Sequence, residues 1–504
     1  MLKIKRQHSY ASVADKYRDR QDKKIRRRNL MNLIYNVKDK PKFPQVLVFA
    51  FQQLLAIMAA TIVVPVIING NAGLVGDTAM SQTAALFGAG VGTLVYLLFT
   101  KFKSPVFLGS SFAFLGSMTA AFAGAVSVAA GYVGLILGAA MAGLVYVVLA
   151  IIIKIAGVKW INKLMPPVVI GPTVALIGLS LAGSAVTDLQ KGGVNKAVEN
   201  LVINTEGELP AIVTETSYVP VASPYVALIC GLVTLAVIFL ASVYGKKMMK
   251  MIPFIIGIGA GYAVAAIFTV IGTFTNNEAL MVIDFSKFAT MQWVPDFTFI
   301  KAIDGISAIT PSYIAAIAFA YIPVAFVVFA EHVADHKNLS SIIGQDLLEE
   351  PGLHRTLLGD GVGSMAGALF GGCPNTTYGE SVGCVAISGN ASIVTILTTA
   401  IMAIAISFFA PFAAFLSTIP NCVMGGACVA LYGFIAVSGL KMIQQVDLGD
   451  NRNLFVVSAI LIPGIGGLTL SFGEGDRIIT ITTIACALIL GILANVMLAK
   501  KADK

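Results

Sequence analysis

The chain is 504 residues long, and 57% of its residues are hydrophobic while only 12% are charged. Apolar runs of about 20 residues, the length that crosses a bilayer as a helix, recur along the whole chain. This composition excludes a water-soluble globular protein and predicts an all-α polytopic membrane protein.

The first 43 residues form a basic segment, with fourteen Lys and Arg against four Asp. A nucleic-acid-binding tail is one interpretation of such a charge. The segment is short, however, lacks interleaved aromatic residues and directly precedes the first apolar run. We therefore predict a cytoplasmic, positive-inside anchor that touches anionic lipid, and we expect no nucleic-acid partner. Basic residues also mark every second connection and the tail at 500–504, which predicts that both termini are cytoplasmic.

Fourteen transmembrane segments are predicted from the apolar runs. They lie near 45–69, 79–100, 105–126, 131–154, 166–186, 224–244, 252–274, 312–335, 355–372, 374–390, 391–416, 421–445, 453–471 and 478–499. The transporter domain accordingly covers 44–499, and we expect it in the cytoplasmic membrane. The two long connections, 187–223 and 275–311, lie on the predicted outer side. They have neither the length nor the composition of a separate domain, so we expect loops there.

A short internal repeat indicates how the spans are arranged. The pattern G-x-x-V-A-L-x-G occurs at 171–178 and again at 426–433. Each copy follows an apolar stretch interrupted by Gly, Pro or Ser, LGSSFAF at 108–114 and CPNTTYG at 373–379. Because seven spans is an odd number, the second copy must enter the membrane inverted. We predict two inverted seven-span repeats, about 44–274 and 311–499, with broken third and tenth spans and a site at the repeat interface.

Two glutamates stand at membrane depth beside these features. Glu331 ends the apolar run IAAIAFAYIPVAFVVFA, and Glu380 directly follows the broken stretch of the tenth span. A charged group there costs roughly 2.5 kcal/mol or more, so it is seldom kept without a task. A simple carboxylate at a helix end is the alternative for Glu331. With backbone donors near Phe112 and Gly379, the two carboxylates suit a flat ring that alternates N–H and C=O groups.

Two other classes of protein are alternatives to a transporter of a neutral ring. His332 and His336 are four residues apart beside acidic residues, which is compatible with an intramembrane metalloprotease. The order differs from HExxH, because Glu331 precedes the first histidine, and His8 and His354 supply no obvious third ligand. We predict that the protein has no metal site and is not an enzyme. An anion exchanger or an anion channel on the same inverted fold remains an alternative. Such a protein would prefer a basic site, however, and the residues here are acidic.

Several separated motifs carry a family resemblance. ATIVVPV at 60–66, LGSSFAF, AEHVADH at 330–336, DLLEEPGLHR at 346–355 and PNTTYGE at 374–380 stand in the order found in one transporter family. They resemble the nucleobase:cation symporter 2 family, also called nucleobase–ascorbate transporters, and within it the uracil permeases. The resemblance runs from about residue 42 to 498.

The resemblance implies a fold and an activity. The third and tenth spans of this family contain short antiparallel strands between half-helices. Spans one to four and eight to eleven form a core domain, the others form a gate domain, and the protein is usually a homodimer. The implied activity is import of uracil with a proton by alternating access, with no cofactor other than the coupling proton. A purine symporter for xanthine or urate is the alternative within the family.

The resemblance also implies roles for individual residues. Glu331 and Glu380 would hydrogen-bond the ring nitrogens of uracil, while the backbone of Phe112 and Gly379 would meet its carbonyl oxygens. The residues implied to line the pocket are Ala60, Phe112, Tyr378 and Tyr432, the last on the gate side.

This chain departs from the family at the position four residues after the first glutamate. Enterobacterial relatives have His there, whereas this chain has Asp335, with His336 one residue later. Asp335 lies one helical turn from Glu331, so their protonation is coupled. We hypothesise that Glu331 holds the coupling proton and that Asp335 tunes its proton affinity.

Overall fold

The computed structural model describes residues 33–157, 166–204, 211–246, 249–250, 252–291, 293–444, 446–472 and 479–499; at 197–204, 211–218, 471–472 and 479–480 it describes the backbone alone. Most of the predicted basic segment at 1–43 and the tail at 500–504 therefore lie outside the described residues.

Apolar helices form most of the described chain. The first half contains α1 (Phe43–Asn71), α2 (Gln82–Phe99), α3 (Leu115–Ala123), α4 (Val128–Ala156), α5 (Pro167–Ser180), α6 (Ala182–Asp188), α7 (Pro224–Tyr244) and α8 (Pro253–Thr275). The second half contains α9 (Thr298–Ala302), α10 (Pro311–Ile343), α11 (Leu353–Gly371), α12 (Gly379–Ser388), α13 (Ile393–Ser407), α14 (Ala410–Thr418), α15 (Asn421–Ile443), α16 (Asn451–Ile465) and α17 (Thr483–Met497). Proline occupies the first turn of α1, α5, α7, α8 and α10, where no helical N–H is lost.

The helices account for the predicted spans in two ways. Within the described ranges, eight helices are long and apolar enough to cross a membrane, or nine if α13 and α14, bent by 83° at their junction, form one span. The remaining predicted spans contain shorter helices: α3 and α12 in the broken third and tenth spans, α11 in the ninth, and α16 and α17 in the last two. Each of the fourteen predicted ranges thus contains a helix. The chain is a multi-pass membrane protein.

The broken spans meet through two short strands. β1 (Leu108–Ser110) pairs antiparallel with β4 (Asn375–Thr377), and Gly109 lies opposite Thr376. The Ser111 N–H donates to the carbonyl of Pro374 at 2.9 Å and extends the pairing by one bond. Each strand thereby satisfies backbone groups that the interrupted helix leaves unpaired inside the membrane. The predicted interruptions of spans three and ten are confirmed.

Helix packing repeats between the two halves. The largest interfaces join equivalent helices, α2 with α11 and α5 with α15, and the contacts of α4 with α11 have their counterpart in those of α13 with α2. These interfaces divide the long helices into a group with α1, α2, α4, α10, α11 and α13 and a group with α5, α7, α8, α15, α16 and α17. With the antiparallel strands, this pattern agrees with two inverted repeats and with core and gate groups.

Glycine lets the two central core helices approach closely. A Cβ on Gly92 of α2 would lie 2.8 Å from the carbonyl oxygen of Gly363 on α11, and a Cβ on Gly363 would lie 2.8 Å from that of Gly92. Small residues at a helix crossing allow such backbone contact inside a membrane. Both broken spans lie against this pair, since β1 contacts α2 and β4 contacts α11.

Two hairpins differ from the sequence prediction. The connection at 187–223 contains β2 (Asn195–Asn204) paired with β3 (Ala211–Pro220), so the prediction of a plain loop is wrong there. The run IVTETSYV within β3 is rich in β-branched residues, which favour strands. Hydropathy alone does not detect this preference. A second hairpin, β5 (Leu470–Phe472) with β6 (Ile479–Ile481), lies between the last two spans.

Candidate functional site

A small cavity lies where the two broken spans meet α10. Its volume is about 30 Å³, enough for one or two water molecules. The lining residues are Ser111, Phe112, Ala113, Ile177, Glu331, Thr376, Thr377, Tyr378, Gly379, Glu380 and Ile435. Five of the seven residues predicted to bind substrate, Phe112, Glu331, Tyr378, Gly379 and Glu380, are therefore brought together at one place.

The other two predicted residues, Ala60 and Tyr432, do not belong to the described lining. Ala60 is buried in α1, and Tyr432 is buried in α15. The Tyr432 ring meets the Phe112 ring edge to face, with centroids 5.9 Å apart and planes at 80°. Instead of Tyr432, Ile177 of α5 and Ile435 of α15 close the cavity from the gate group. The cavity thus lies between the core and gate groups.

Two helix starts supply backbone donors beside the cavity. A single turn at Phe112–Phe114 leads into α3, and α12 begins at Gly379 with Glu380 in its first turn. The first N–H groups of a helix have no intrahelical partner and carry the positive end of its dipole. The cavity therefore combines backbone donors from both repeats with carboxylate acceptors on α10 and α12. This set can recognise a small ring that carries both donors and acceptors.

The strand pair holds Tyr378 in place. The Tyr378 hydroxyl donates to the carbonyl of Ser110 at 2.7 Å, and its N–H donates to the carbonyl of Phe107 at 3.3 Å. The ring lies against the backbone of Gly109, where a Cβ would come within 2.3 Å of ring carbons. Only glycine leaves room for this contact. The orientation of Tyr378 is therefore set by residues of the first repeat.

Ser381 joins three elements of the site. Its Oγ accepts from Nε2 of Gln53 on α1 at 2.6 Å and from the N–H of Phe107 at 3.0 Å. All three groups are buried. Ser381 thereby fixes the first turn of α12, which carries Glu380, against α1 and the start of β1. The sequence offered no signal for this contact, because Gln53 and Ser381 are 328 residues apart.

Asp335 faces the site as well as its own helix. The Thr377 hydroxyl donates to Oδ2 of Asp335 at 3.0 Å, and a Cβ on Gly379 would lie 3.8 Å from Oδ1. Glu331 interacts electrostatically with Glu380 and with Asp335. Three carboxyl groups thus lie near enough to one another that a negative charge on one disfavours a negative charge on the others. Asp335 is half-buried and lies within α10, before the end of that helix.

Two buried histidines extend a polar network behind Glu331. His332 Nδ1 lies 2.6 Å from Oδ2 of Asp360, and its Nε2 lies 3.0 Å from the Thr356 hydroxyl. His336 Nε2 lies 2.7 Å from the Tyr96 hydroxyl. Both histidines and Asp360 are fully buried. The spacing of His332 and His336 is compatible with metal ligands and gives no sign of these partners.

The network leaves little room for a metal site. The ring centroids of His332 and His336 lie 4.0 Å apart. Each of the four ring nitrogens lies within hydrogen-bond distance of another protein group. Within the part of the chain that the structure describes, no group of three or more His, Cys, Asp or Glu side chains is placed to hold a metal ion.

A larger cavity of about 520 Å³ lies on the predicted outer side. It is bordered by the end of α1, the start of α2, the connection before α9 and α14; its described lining includes Asp77, Lys287 and Asp296. None of the residues predicted to bind substrate belongs to that described lining. The smaller cavity is the better candidate despite its size, because there helix starts and intramembrane carboxylates converge from both repeats.

Comparison with known proteins identifies relatives along most of the chain. A family model described as Xan_ur_permease, a permease family, matches residues 44–223 and 218–472. The uracil permease of Bacillus caldolyticus is 37% identical over 469 residues, 92% of this chain and 94% of that protein. The uracil permease of Bacillus subtilis (strain 168) is 34% identical over 458 residues, 90% and 93% of the two chains.

A solved structure shares the architecture. The transmembrane domain of the cyanobacterium bicarbonate transporter BicA superposes with a TM-score of 0.57 at 14% identity, covering 92% of this chain and 99% of that one. An identity this low supports a common fold and says nothing about substrate.

Proposed function

The chain belongs to the Xan_ur_permease family of permeases, and we propose that it imports uracil across the cytoplasmic membrane together with protons. It is a transporter and not an enzyme, as its named relatives are permeases. The observation that carries the proposal is the convergence of Glu331, Glu380 and two helix starts on one cavity. The relatives named uracil permeases support the choice of this nucleobase.

Uracil fits the chemistry of the cavity. Its ring alternates two N–H donors with two carbonyl acceptors. We assign the ring N–H groups to carboxyl oxygens of Glu331 and Glu380, and the carbonyl oxygens of uracil to the backbone N–H groups at Phe112 and Gly379. A protonated Glu331 still accepts through its own carbonyl oxygen. Tyr378 and Phe112 would cover the faces of the ring. In an open conformation Ala60 and Tyr432 would complete the lining.

The coupling proton belongs in this scheme to Glu331, with Asp335 as its modulator. Three carboxyl groups beside one small cavity repel one another when charged, so proton uptake by one of them relieves that repulsion. A protonated carboxyl group near the cavity therefore favours occupation by a neutral ring. By linkage, uracil should in turn raise the affinity for the proton by the same factor. No cofactor beyond this proton is needed.

Alternating access accounts for the size and position of the cavity. The cavity of about 30 Å³ has room for one or two water molecules, so uracil, with eight non-hydrogen atoms, does not fit until the cavity opens. Phe112 belongs to the core side, whereas Ile177 and Ile435 belong to gate helices. Relative movement of the two groups would open the cavity to either side of the membrane. We propose, following the family resemblance, that two copies form a dimer in the lipid bilayer with both termini in the cytoplasm.

The test is uptake of radiolabelled uracil into proteoliposomes under an inward proton gradient. Excess xanthine, uric acid, adenine and sulfate are the competitors. The key variant is Glu380→Gln, and its control is Glu278→Gln, an exposed glutamate outside the site. A hydrogen bond to a charged group contributes about 1.5–3 kcal/mol, so Glu380→Gln should raise KM at least tenfold while the control transports normally.

The outcomes separate the alternatives. Gradient-driven uracil uptake that none of the four competitors inhibits would support the proposal. Uptake of xanthine or urate would make the protein a purine symporter on the same fold. Transport of an anion without any nucleobase uptake would refute the proposal and favour the anion transporter.

A further inference from the structure

The segment that precedes α1 forms hydrogen bonds with the C-terminal end of α12, the helix that carries Glu380 in its first turn. We call residues 34–39 the N-terminal strap. It runs parallel to the connection between α12 and α13, with Tyr35 opposite Asn390. The Ile34 N–H donates to the carbonyl of Gly389 at 2.7 Å, and the Tyr35 N–H reaches the same oxygen at 3.2 Å. In return, the Ala391 N–H donates to the carbonyl of Tyr35 at 2.9 Å.

Further contacts make the strap a fixed part of the core group. The Ile393 N–H donates to the carbonyl of Val37 at 3.1 Å, and the Ser392 hydroxyl donates to the carbonyl of Asp39 at 2.7 Å. The Tyr35 hydroxyl donates to Oε1 of Gln45 at 2.8 Å. Gln45 lies in the first turn of α1, so the strap joins α1 and α12 at the same end of the core group.

The strap acts on a helix that is too short to hold its own position. α12 has ten residues, about 15 Å of helix, and a helix of this length is marginal by itself. At its start, Glu380 faces the cavity, and Ser381 is bonded to α1 and β1. At its end, Gly389 in the left-handed conformation caps the helix and accepts from two strap N–H groups.

We propose that the N-terminal strap is a positioning element for substrate binding. It fixes α12 along its axis, and through α12 it sets the position of the Glu380 carboxylate at the cavity. A displacement of the binding group by a fraction of an ångström weakens a hydrogen bond to the ring. The inference rests on the proposed uracil transport, because uracil affinity is its readout.

The test compares two substitutions at Ile34 in the full-length chain. Ile34→Pro removes the N–H that donates to Gly389, whereas Ile34→Ala keeps that N–H and trims a side chain that is 59% exposed. If the displaced Glu380 carboxylate loses about as much binding free energy as one ordinary hydrogen bond contributes, the KM for uracil rises about three- to tenfold. We expect that rise for Ile34→Pro, a kcat within about twofold of wild type, and wild-type kinetics for Ile34→Ala.

Two further measurements separate positioning from general destabilisation. Ser392→Ala removes the hydroxyl that donates to Asp39 and should raise KM in the same direction, with unchanged kcat. Hydrogen exchange of 380–388 should accelerate in Ile34→Pro, while exchange in α15 stays at the wild-type rate. If Ile34→Pro fails to fold, Ser392→Ala alone decides.

The inference is overturned if Ile34→Pro or Ser392→Ala keeps the wild-type KM, or if kcat falls while KM does not rise. Absence of uracil transport by the wild-type protein is a different result, because it would refute the proposed function before the strap is tested.

Discussion

Removal of the Ser381 hydroxyl is the sharpest test of how the site is built. Ser381 stands next to Glu380, and its Oγ accepts from the Gln53 side chain and the Phe107 backbone. Ser381→Ala deletes one oxygen atom and leaves both donors in place. Neither donor reaches water, since Gln53 and Phe107 are buried.

The expected loss follows from these two donors. A buried donor that loses its partner costs about 1–3 kcal/mol. The Gln53 amide also lies 3.4 Å from the carbonyl oxygen of Ser381, which offsets part of its loss. We expect the free energy of unfolding to fall by about 2–4 kcal/mol. Because Glu380 adjoins the lost contact, the KM for uracil should rise as well.

The assay is unfolding of the purified protein in mixed micelles at increasing denaturant, followed by uracil uptake in proteoliposomes. Ser388→Ala is the matched control on the same helix. Its Oγ accepts one bond, from the Asn390 N–H at 3.2 Å, and Ser388 is half-buried. Loss of a single such bond should cost no more than about 1 kcal/mol.

Either of two results would refute this role of the Ser381 hydroxyl. One is that Ser381→Ala unfolds at the same denaturant concentration as wild type. The other is that Ser388→Ala loses as much stability as Ser381→Ala, since the effect would then reflect any serine of α12.

Three further substitutions test other parts of the site. Gly109→Ala forces a methyl group into the Tyr378 ring and should cost about 1–3 kcal/mol in unfolding; unchanged unfolding and uptake would contradict the close approach. Asp335→Asn removes negative charge near Glu331, so the pH profile of uptake should move toward lower pH, and an identical profile would exclude the tuning role. Asp360→Asn replaces the buried partner of His332 Nδ1 and should lower the free energy of unfolding by about 1–3 kcal/mol, and unchanged unfolding would contradict a structural role for this contact.

Local sequence patterns were enough to find the spans and the interruptions. The apolar runs located the helices because a bilayer demands about 20 apolar residues from each spanning segment. The segments LGSSFAF and CPNTTYG stood out because Gly, Pro and Ser interrupt apolar sequence, and both contain strands in the structure. Glu331 and Glu380 stood out because carboxylates are rare at membrane depth. Each of these signals lies within a short stretch of chain.

The partners of these residues could not be read from the sequence. Ser381 with Gln53, and His336 with Tyr96, are contacts between residues more than two hundred positions apart. Serine, glutamine and tyrosine occur at many positions of this chain, and nothing local distinguishes those that meet. The hairpin at 195–220 was missed because hydropathy does not separate a strand from a loop outside the membrane.

The class of protein, the broken spans and the two carboxylates follow from local sequence, because the bilayer constrains every short segment separately. The groups that surround the cavity follow from the packing of the folded chain. Ile177 and Ile435 lie at the cavity wall, and Tyr432 lies against Phe112. Asp335 accepts a hydrogen bond from Thr377, and Gly389 accepts hydrogen bonds from the N-terminal strap. Such contacts depend on how two inverted repeats pack against each other, and that packing is a property of the whole chain.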